Sequence, residues 1–428
     1  MAPYPRIDSV VNDPGRPAFG RLVGAQVFAV AGDTLVTLAM AGSLFFSISP
    51  DAARGRVALY LLMTVAPFAV LGPLVGPALE ASRGGHRMML VTTAASRAAI
   101  CLSMAGHLQS WWLFPEAFAL LVLSKVHLVA KSALVPSMVP EDRHLVAANS
   151  RLAIAAAVGA MVAGSIGLAV VNLGFLGADW AVRLAGMAFA ASAVASFRIP
   201  RGIHRPDGEM KPGEMPGDVP LADACESADR RYAVARALRI AAVGMISLRI
   251  LAGFVTFALA FSFRDAGAPP WHFGLALGLS MAGALLGSAV APRLRSYLSE
   301  DRILVSGLAA VAVVAAVETR LGGWAGAALL AGTLGVATTA GKLAFDSVVQ
   351  RDAPEVARGR LFARFETRFQ MGWVVGAGLA VTVPLDRGAA VGLAALGALV
   401  AFFVYLGGMA SATVGAPAPH AEAGTRVP

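Results

Sequence analysis

Twelve separate stretches of this chain are long and apolar enough to cross a lipid bilayer, and they limit the fold more than any other feature. They run over residues 20–48, 56–80, 87–107, 111–139, 146–174, 179–198, 239–263, 271–292, 301–319, 322–350, 361–385 and 388–410. The hydrocarbon core of a bilayer is about 30 Å thick and takes a helix of ~20 apolar residues. Nothing in that layer satisfies an unpaired backbone group, so a spanning segment must be helical or part of a closed barrel. Runs this long, rich in Ala, Leu, Val and Gly, predict an all-α membrane protein with twelve transmembrane helices. Composition agrees: 57% of residues are hydrophobic and 14% charged, where soluble domains carry about 25%. The first run is too long for a signal-peptide core and lacks a small-residue cleavage site, so it reads as an uncleaved span.

Residues 199–238 form the one long polar stretch between runs. They divide the chain into a segment 1–19, a six-helix half 20–198, a linker 199–238, a six-helix half 239–410 and a tail 411–428 that is too rich in Ala and Pro to build a core. The halves repeat one layout. Ser124–Arg151 is a lysine-bearing apolar run, a polar turn and an arginine-bearing run. The pattern returns about 210 residues later, where Ser137, Val139 and Asp142 meet Ser347, Val349 and Asp352. Such a duplication is common among membrane carriers. Glycine pairs four apart, Gly72/Gly76, Gly274/Gly278, Gly283/Gly287 and Gly372/Gly376, would let helices approach closely.

The net charge of +9 is explained by orientation. With the long linker set aside, 13 basic residues fall on the face that holds the N-terminus and five on the other. Basic loops stay cytoplasmic, so both termini and the linker are expected in the cytoplasm. Trp111, Trp112, Trp180, Trp271 and Trp324 fall at the opposite ends of their runs, as an interfacial belt would. Cys101 lies in an apolar run and Cys225 in the polar linker, a setting that fits neither a disulfide nor a metal site.

Charges at depth are costly and mark function unless paired. They concentrate on runs 1, 4, 7 and 10: Asp33; Lys125, His127 and Lys131; Arg249; Lys342 and Asp346. Runs 2, 3, 8 and 12 read as carrying few or none at depth. These residues give four positive and two negative formal charges, a net of two positive before any protonation of His127. A less specific reading stands beside this one, in which Asp33 pairs with Lys125, Asp346 pairs with Lys342, and His127 is a satisfied interior histidine. Gly341-Lys342 follows Gly335 out of register for a phosphate-binding loop, and Leu343 stands where Ser or Thr is needed.

Several local patterns resemble the major facilitator superfamily, in the branch of the enterobactin exporter and related drug-efflux proteins. Ala31-Gly32-Asp33 is similar to that branch's Gly-Asp in the first span. Gly72 to Arg87, with Gly76, Glu80, Arg83 and Arg87, resembles the signature loop between spans 2 and 3, although Glu80-Ala81 stands where the family has Asp-Arg. Leu134-Val-Pro-Ser-Met-Val-Pro-Glu-Asp142 with Ala147-Ala-Asn149 resembles the loop between spans 4 and 5. The resemblance covers residues 19 to 410.

It implies a major facilitator fold in which spans 1, 4, 7 and 10 line a central cavity. It also implies alternating access and proton-coupled export of a small molecule. On that reading Asp33, Lys125, His127, Lys131, Arg249, Lys342 and Asp346 bind substrate or ion. Gly76, Glu80, Arg83, Arg87, Arg151 and Glu366 make gate contacts. The cation excess points to an anionic or acidic amphiphilic substrate. Expected partners are that substrate, protons and membrane lipids, with no cofactor, metal or nucleic acid. The chain is expected to act as a monomer in the inner membrane of a bacterium. Two alternatives remain: a lipid flippase of the same fold, and a membrane-embedded lipid-modifying enzyme. The short outer loops, with no nucleophile–base set, weigh against the second.

Overall fold

The computed structural model describes residues 17–41 and 85–414, apart from 107, 109, 140, 173–176, 201–220, 268–269, 354 and 384. Among these residues the chain is helical throughout, without a strand, in eleven long helices. The first half contributes α1 (Pro17–Ala41), α2 (Gly85–Met104), α3 (Leu113–Leu134), α4 (Leu145–Asn172) and α5 (Gly177–Phe197). The second contributes α6 (Leu221–Asp265), α7 (Pro270–Tyr297), α8 (Glu300–Leu321), α9 (Gly323–Asp352), α10 (Glu355–Thr382) and α11 (Arg387–Val414). They match every expected span except 56–80, which lies outside the described residues, as do the glycine pair Gly72/Gly76 and the residues Glu80 and Arg83. Helix α6 starts at Leu221, inside the stretch read as linker, and continues unbroken into its apolar run.

Nine of the described helices are long and apolar enough to cross a membrane. The remaining two are α2, with Arg87 and Arg97, and α10, with Arg358, Arg360, Arg364, Glu366 and Arg368. Large apolar side chains point outward along α4 (Met161, Leu168) and α11 (Leu396, Phe403), a surface that water would penalise and lipid tails accept.

Within the first half, α1 packs on α4 and α5, and α2 packs on α3 and α5. Within the second, α9 packs on α6, α7 and α8, while α6 also meets α10 and α11. Without a hydrophobic force between helices in lipid, close approach of backbones supplies the packing energy, and glycines permit it. A Cβ on Gly283 would lie 2.1 Å from the Gly332 carbonyl oxygen, and one on Gly376 would lie 1.9 Å from that of Ile250. So Gly283/Gly287 and Gly372/Gly376 are packing pairs, whereas a Cβ on Gly278 would meet nothing within 4 Å among the described residues. The halves meet where α4 lies against α7 and α9, and where α3 lies against α10.

Candidate functional site

Two charge clusters and a polar seam lie among the helices expected to surround the cavity. The first is built on Asp33. Its Oδ1 accepts from Ser124 Oγ on α3 at 2.9 Å and forms an ion pair with Arg97 on α2. Arg97 is 1% exposed, and its guanidinium lies 3.8 Å from the centre of the Phe189 ring. Gly32 makes room for that ring, because a Cβ there would come within 2.5 Å of it. Gly32 therefore seats Phe189, Phe189 seats Arg97, and Arg97 holds one oxygen of Asp33. The Asp33 side chain is still 46% exposed. Here the sequence reading is corrected twice. Arg97 is a charge at depth on run 3, and it is Arg97, not Lys125, that pairs with Asp33. Only its position ten residues into an apolar run could have flagged it.

His127 turns away from this cluster. It is buried, and its Nδ1 lies 3.1 Å from the Thr93 hydroxyl. That hydroxyl donates to the Met89 carbonyl at 2.7 Å. The contact between His127 and Thr93 ties α3 to α2.

The second cluster spans both halves. Lys342 on α9 lies 2.6 Å from Asp346 and 3.3 Å from Glu366 on α10. Lys131 on α3 lies within electrostatic range of Asp346, Lys342 and Glu366. Arg249 on α6 and Lys125 on α3 act on Glu366 in the same way. Arg249 Nε is buried without a hydrogen-bond partner among the described residues. Phe345, Phe365 and Phe369 back the cluster edge-to-face, with Phe345 centred 5.0 Å and 4.9 Å from the other two. Lys342 Nζ stands 5.6 Å over Phe369. Glu366, read as a gate residue, is thus a counter-charge of the central cluster. Adding Arg97 and Glu366 to the sequence count adds one charge of each sign, so the excess of two positive charges stands.

The polar seam closes one end of the interface between halves. Gln350 on α9 is 1% exposed. Its Oε1 accepts from Asn149 Nδ2 on α4 at 2.7 Å, and its Nε2 donates to the Ser132 carbonyl on α3 at 2.9 Å. Nearby, Ser150 Oγ donates to the Ser288 carbonyl on α7. Both accepting carbonyls are vacant for one reason. In a helix they would serve the N–H four residues on, and those positions are Pro136 and Pro292, which have none. Each proline thus frees an acceptor that the opposite half uses. Val146 packs beside this seam with Ala291, Ile303, Ala340, Leu343 and Ala344. The sequence reading does not reach Gln350, and it reaches Asn149 only through the resemblance. The signal for both joints is the proline itself, since Pro136 and Pro292 each free the backbone carbonyl four residues earlier.

The expected gate residues divide. Arg87 donates to the Phe197 carbonyl and stands 5.0 Å over the Phe197 ring, joining α2 to α5 within one half. Arg151 is half-buried beside Ser150 and enters none of the ion pairs among the described residues. A further knot joins the α7, α8 and α9 ends: Glu300 accepts from Arg295 at 2.8 Å and from Arg351 at 2.9 Å.

Comparison with known proteins places this arrangement. No family model matches the chain. It is 31% identical over 407 residues to the uncharacterized protein ML2143 of Mycobacterium leprae, covering 87% of this chain and 67% of the relative. It is also 31% identical over 283 residues to the uncharacterized protein Rv0876c of Mycobacterium tuberculosis, covering 61% of this chain and 50% of that one. Among solved structures, a bacterial homologue of the iron transporter ferroportin in an outward-facing state superposes with a TM-score of 0.65 at 16% identity. That match covers 92% of this chain and 99% of the homologue. The human organic anion transporter MFSD10 superposes at 0.64 and 15% identity, over 92% of this chain and 100% of MFSD10. The major facilitator transporter FucP in its outward conformation follows at 0.58 and 15% identity, over 91% of this chain and 98% of FucP. The chain belongs to the family of ML2143, and it is a multi-pass membrane protein with the major facilitator fold.

Proposed function

We propose that this protein is a secondary transporter that exports a small anionic or acidic amphiphilic compound by alternating access, coupled to protons. It would work as a monomer in the bacterial inner membrane, with both termini cytoplasmic. The observation that carries this reading is the second cluster: Lys342 pairs with Asp346 and Glu366, and Lys131, Lys125 and Arg249, drawn from both halves, lie within electrostatic range of those carboxylates. Charges interact far more strongly in a low-dielectric chamber than in water, so a chamber with excess cations draws and holds an anion. A substrate bound between the halves, touching α3 from one and α6 and α9 from the other, is where a rocking motion would act. The sign of the charge agrees with one fold neighbour, MFSD10, which is named an organic anion transporter. Asp33 is half-exposed and held by Arg97 and Ser124, and it is the residue to which we assign ion coupling.

The test is flux in proteoliposomes under an imposed pH gradient, with a panel of anionic, neutral and cationic compounds. Lys125→Gln or Arg249→Gln should cut anion flux and leave neutral compounds unaffected. Export of a cationic dye by both variants at the parent's rate or better, with no anion carried by the parent, would overturn the reading.

A further inference from the structure

An apolar recess adjoins the basic cluster, on the side away from the polar seam, and we infer that it receives a short hydrocarbon portion of the substrate whose acidic group the cluster holds. The inference rests on the anion reading above and adds to it a second, chemically distinct subsite. The recess lies between α6, α7 and α9. Its lining joins small and aliphatic side chains, among them Ala252, Ala276 and Leu334, to the hydroxyls of Thr256, Ser280 and Thr338.

Three observations join the recess to the site. First, helical register puts both on the same faces. On α9, Thr338 and Gly335 precede Lys342 by four and seven residues, about one and two turns along one stripe. On α6, Ala252 and Thr256 follow Arg249 by three and seven residues, with the same consequence. Second, two of the three hydroxyls in the lining, the third being that of Ser280, are already committed within their own helices. The hydroxyls of Thr256 and Thr338 already donate to the carbonyls of Ala252 and Leu334, each at 2.7 Å. Third, the space is small and defined. Its volume is about 60 Å³, and at ~10–15 Å³ per water-sized group it holds about four to six such groups. An acidic head fixed at Arg249 and Lys342 would therefore run its first few carbons along α6 and α9 into the recess.

Linear alkanesulfonates test this, because they stay anionic at every working pH and differ only in length. Binding of methane-, butane- and octanesulfonate to the purified full-length protein in nanodiscs is measured by calorimetry. Each buried methylene tightens binding about fourfold, so affinity should climb steeply from one carbon to four or five and then level off where the recess is full. Ala276→Leu on α7 and Ala252→Leu on α6 each fill the space. Both should erase the gain from methane- to butanesulfonate while leaving methanesulfonate binding in place, which also reports that the variant is folded. Lys125→Gln should weaken every member alike. If butanesulfonate binds the parent no better than methanesulfonate, or if both filling variants keep the gain, the recess is not a subsite, though the anion site stands. If no sulfonate binds the parent, the anion reading fails and the subsite with it. Should either filling variant misfold, the parent's chain-length profile and the other variant decide the matter.

Discussion

Replacing Gln350 by Leu should unlock the polar seam while leaving each half intact. The change keeps side-chain bulk but removes both amide functions. Asn149 then loses the partner at 2.7 Å, and the Ser132 carbonyl loses the donor at 2.9 Å that stands in for the missing N–H of Pro136. Both groups are buried while the seam is closed. A buried polar group left unsatisfied costs ~1–3 kcal/mol, so the closed arrangement loses about 2 kcal/mol at the low end of that range. The open arrangement, in which these groups reach water, loses nothing comparable. A shift of ~2 kcal/mol is about thirtyfold in the equilibrium between the two. Val146→Cys, in a background of Cys101→Ala and Cys225→Ser, reports on that equilibrium, since Val146 is 1% exposed beside the seam. Its rate of maleimide labelling in proteoliposomes should rise about thirtyfold when Gln350→Leu is added. Pro136→Ala should act in the same direction but more weakly, because it gives Ser132 a helical donor of its own and makes the bond to Gln350 dispensable. A labelling rate within twofold of the parent in Gln350→Leu would refute the view that this seam holds the halves together.

Two further outcomes bear on the residues around the site. Asp33→Asn leaves the Arg97 guanidinium buried with its counter-charge gone, and stranding a buried charge costs roughly 3 kcal/mol. The single variant should therefore melt lower than Asp33→Asn with Arg97→Gln, and equal melting points would deny that the pair is coupled. Gly376→Ala places a methyl 1.9 Å from the Ile250 carbonyl oxygen and must push α10 away from α6, whereas Gly378→Ala meets nothing within 4 Å among the described residues. Thermal unfolding should show the first destabilised by about 1–3 kcal/mol or more and the second unchanged.

The number of apolar runs and their doubled layout made the fold legible, because lipid leaves the backbone few choices. Packing detail was less legible. Glycine spacing points to close approach at Gly283/Gly287 and Gly372/Gly376 and equally at Gly274/Gly278, yet a Cβ on Gly278 would meet nothing within 4 Å among the described residues. Spacing along one helix shows where a neighbour could come close but not which neighbour arrives. The charges behaved in the same way. Lys342 and Asp346 are four apart, so their pairing was written into one helix. Asp33 and Arg97 are 64 residues apart on different helices, and their pairing depends on the way α1 and α2 both pack on α5, which no local pattern encodes.

The two clusters differ in what a bound anion would change. At Asp33 a single carboxylate faces a single guanidinium, and Phe189 and Gly32 fix that pair from behind. Its charge is balanced within one half. At Lys342 the balance is struck across the halves, since Lys125 and Lys131 come from α3 and the carboxylates they act on come from α9 and α10. Rocking the halves apart there separates Lys125 and Lys131 from Asp346 and Glu366 and leaves each set less neutralised. An anion bound among the cations would offset that loss only while it bridges both halves. On the function proposed above, substrate occupancy and the position of the halves would therefore be electrostatically linked at the second cluster and not at the first. On this argument, neutralising Lys131 should alter how strongly substrate shifts the seam, while neutralising Asp33 should leave that shift unchanged.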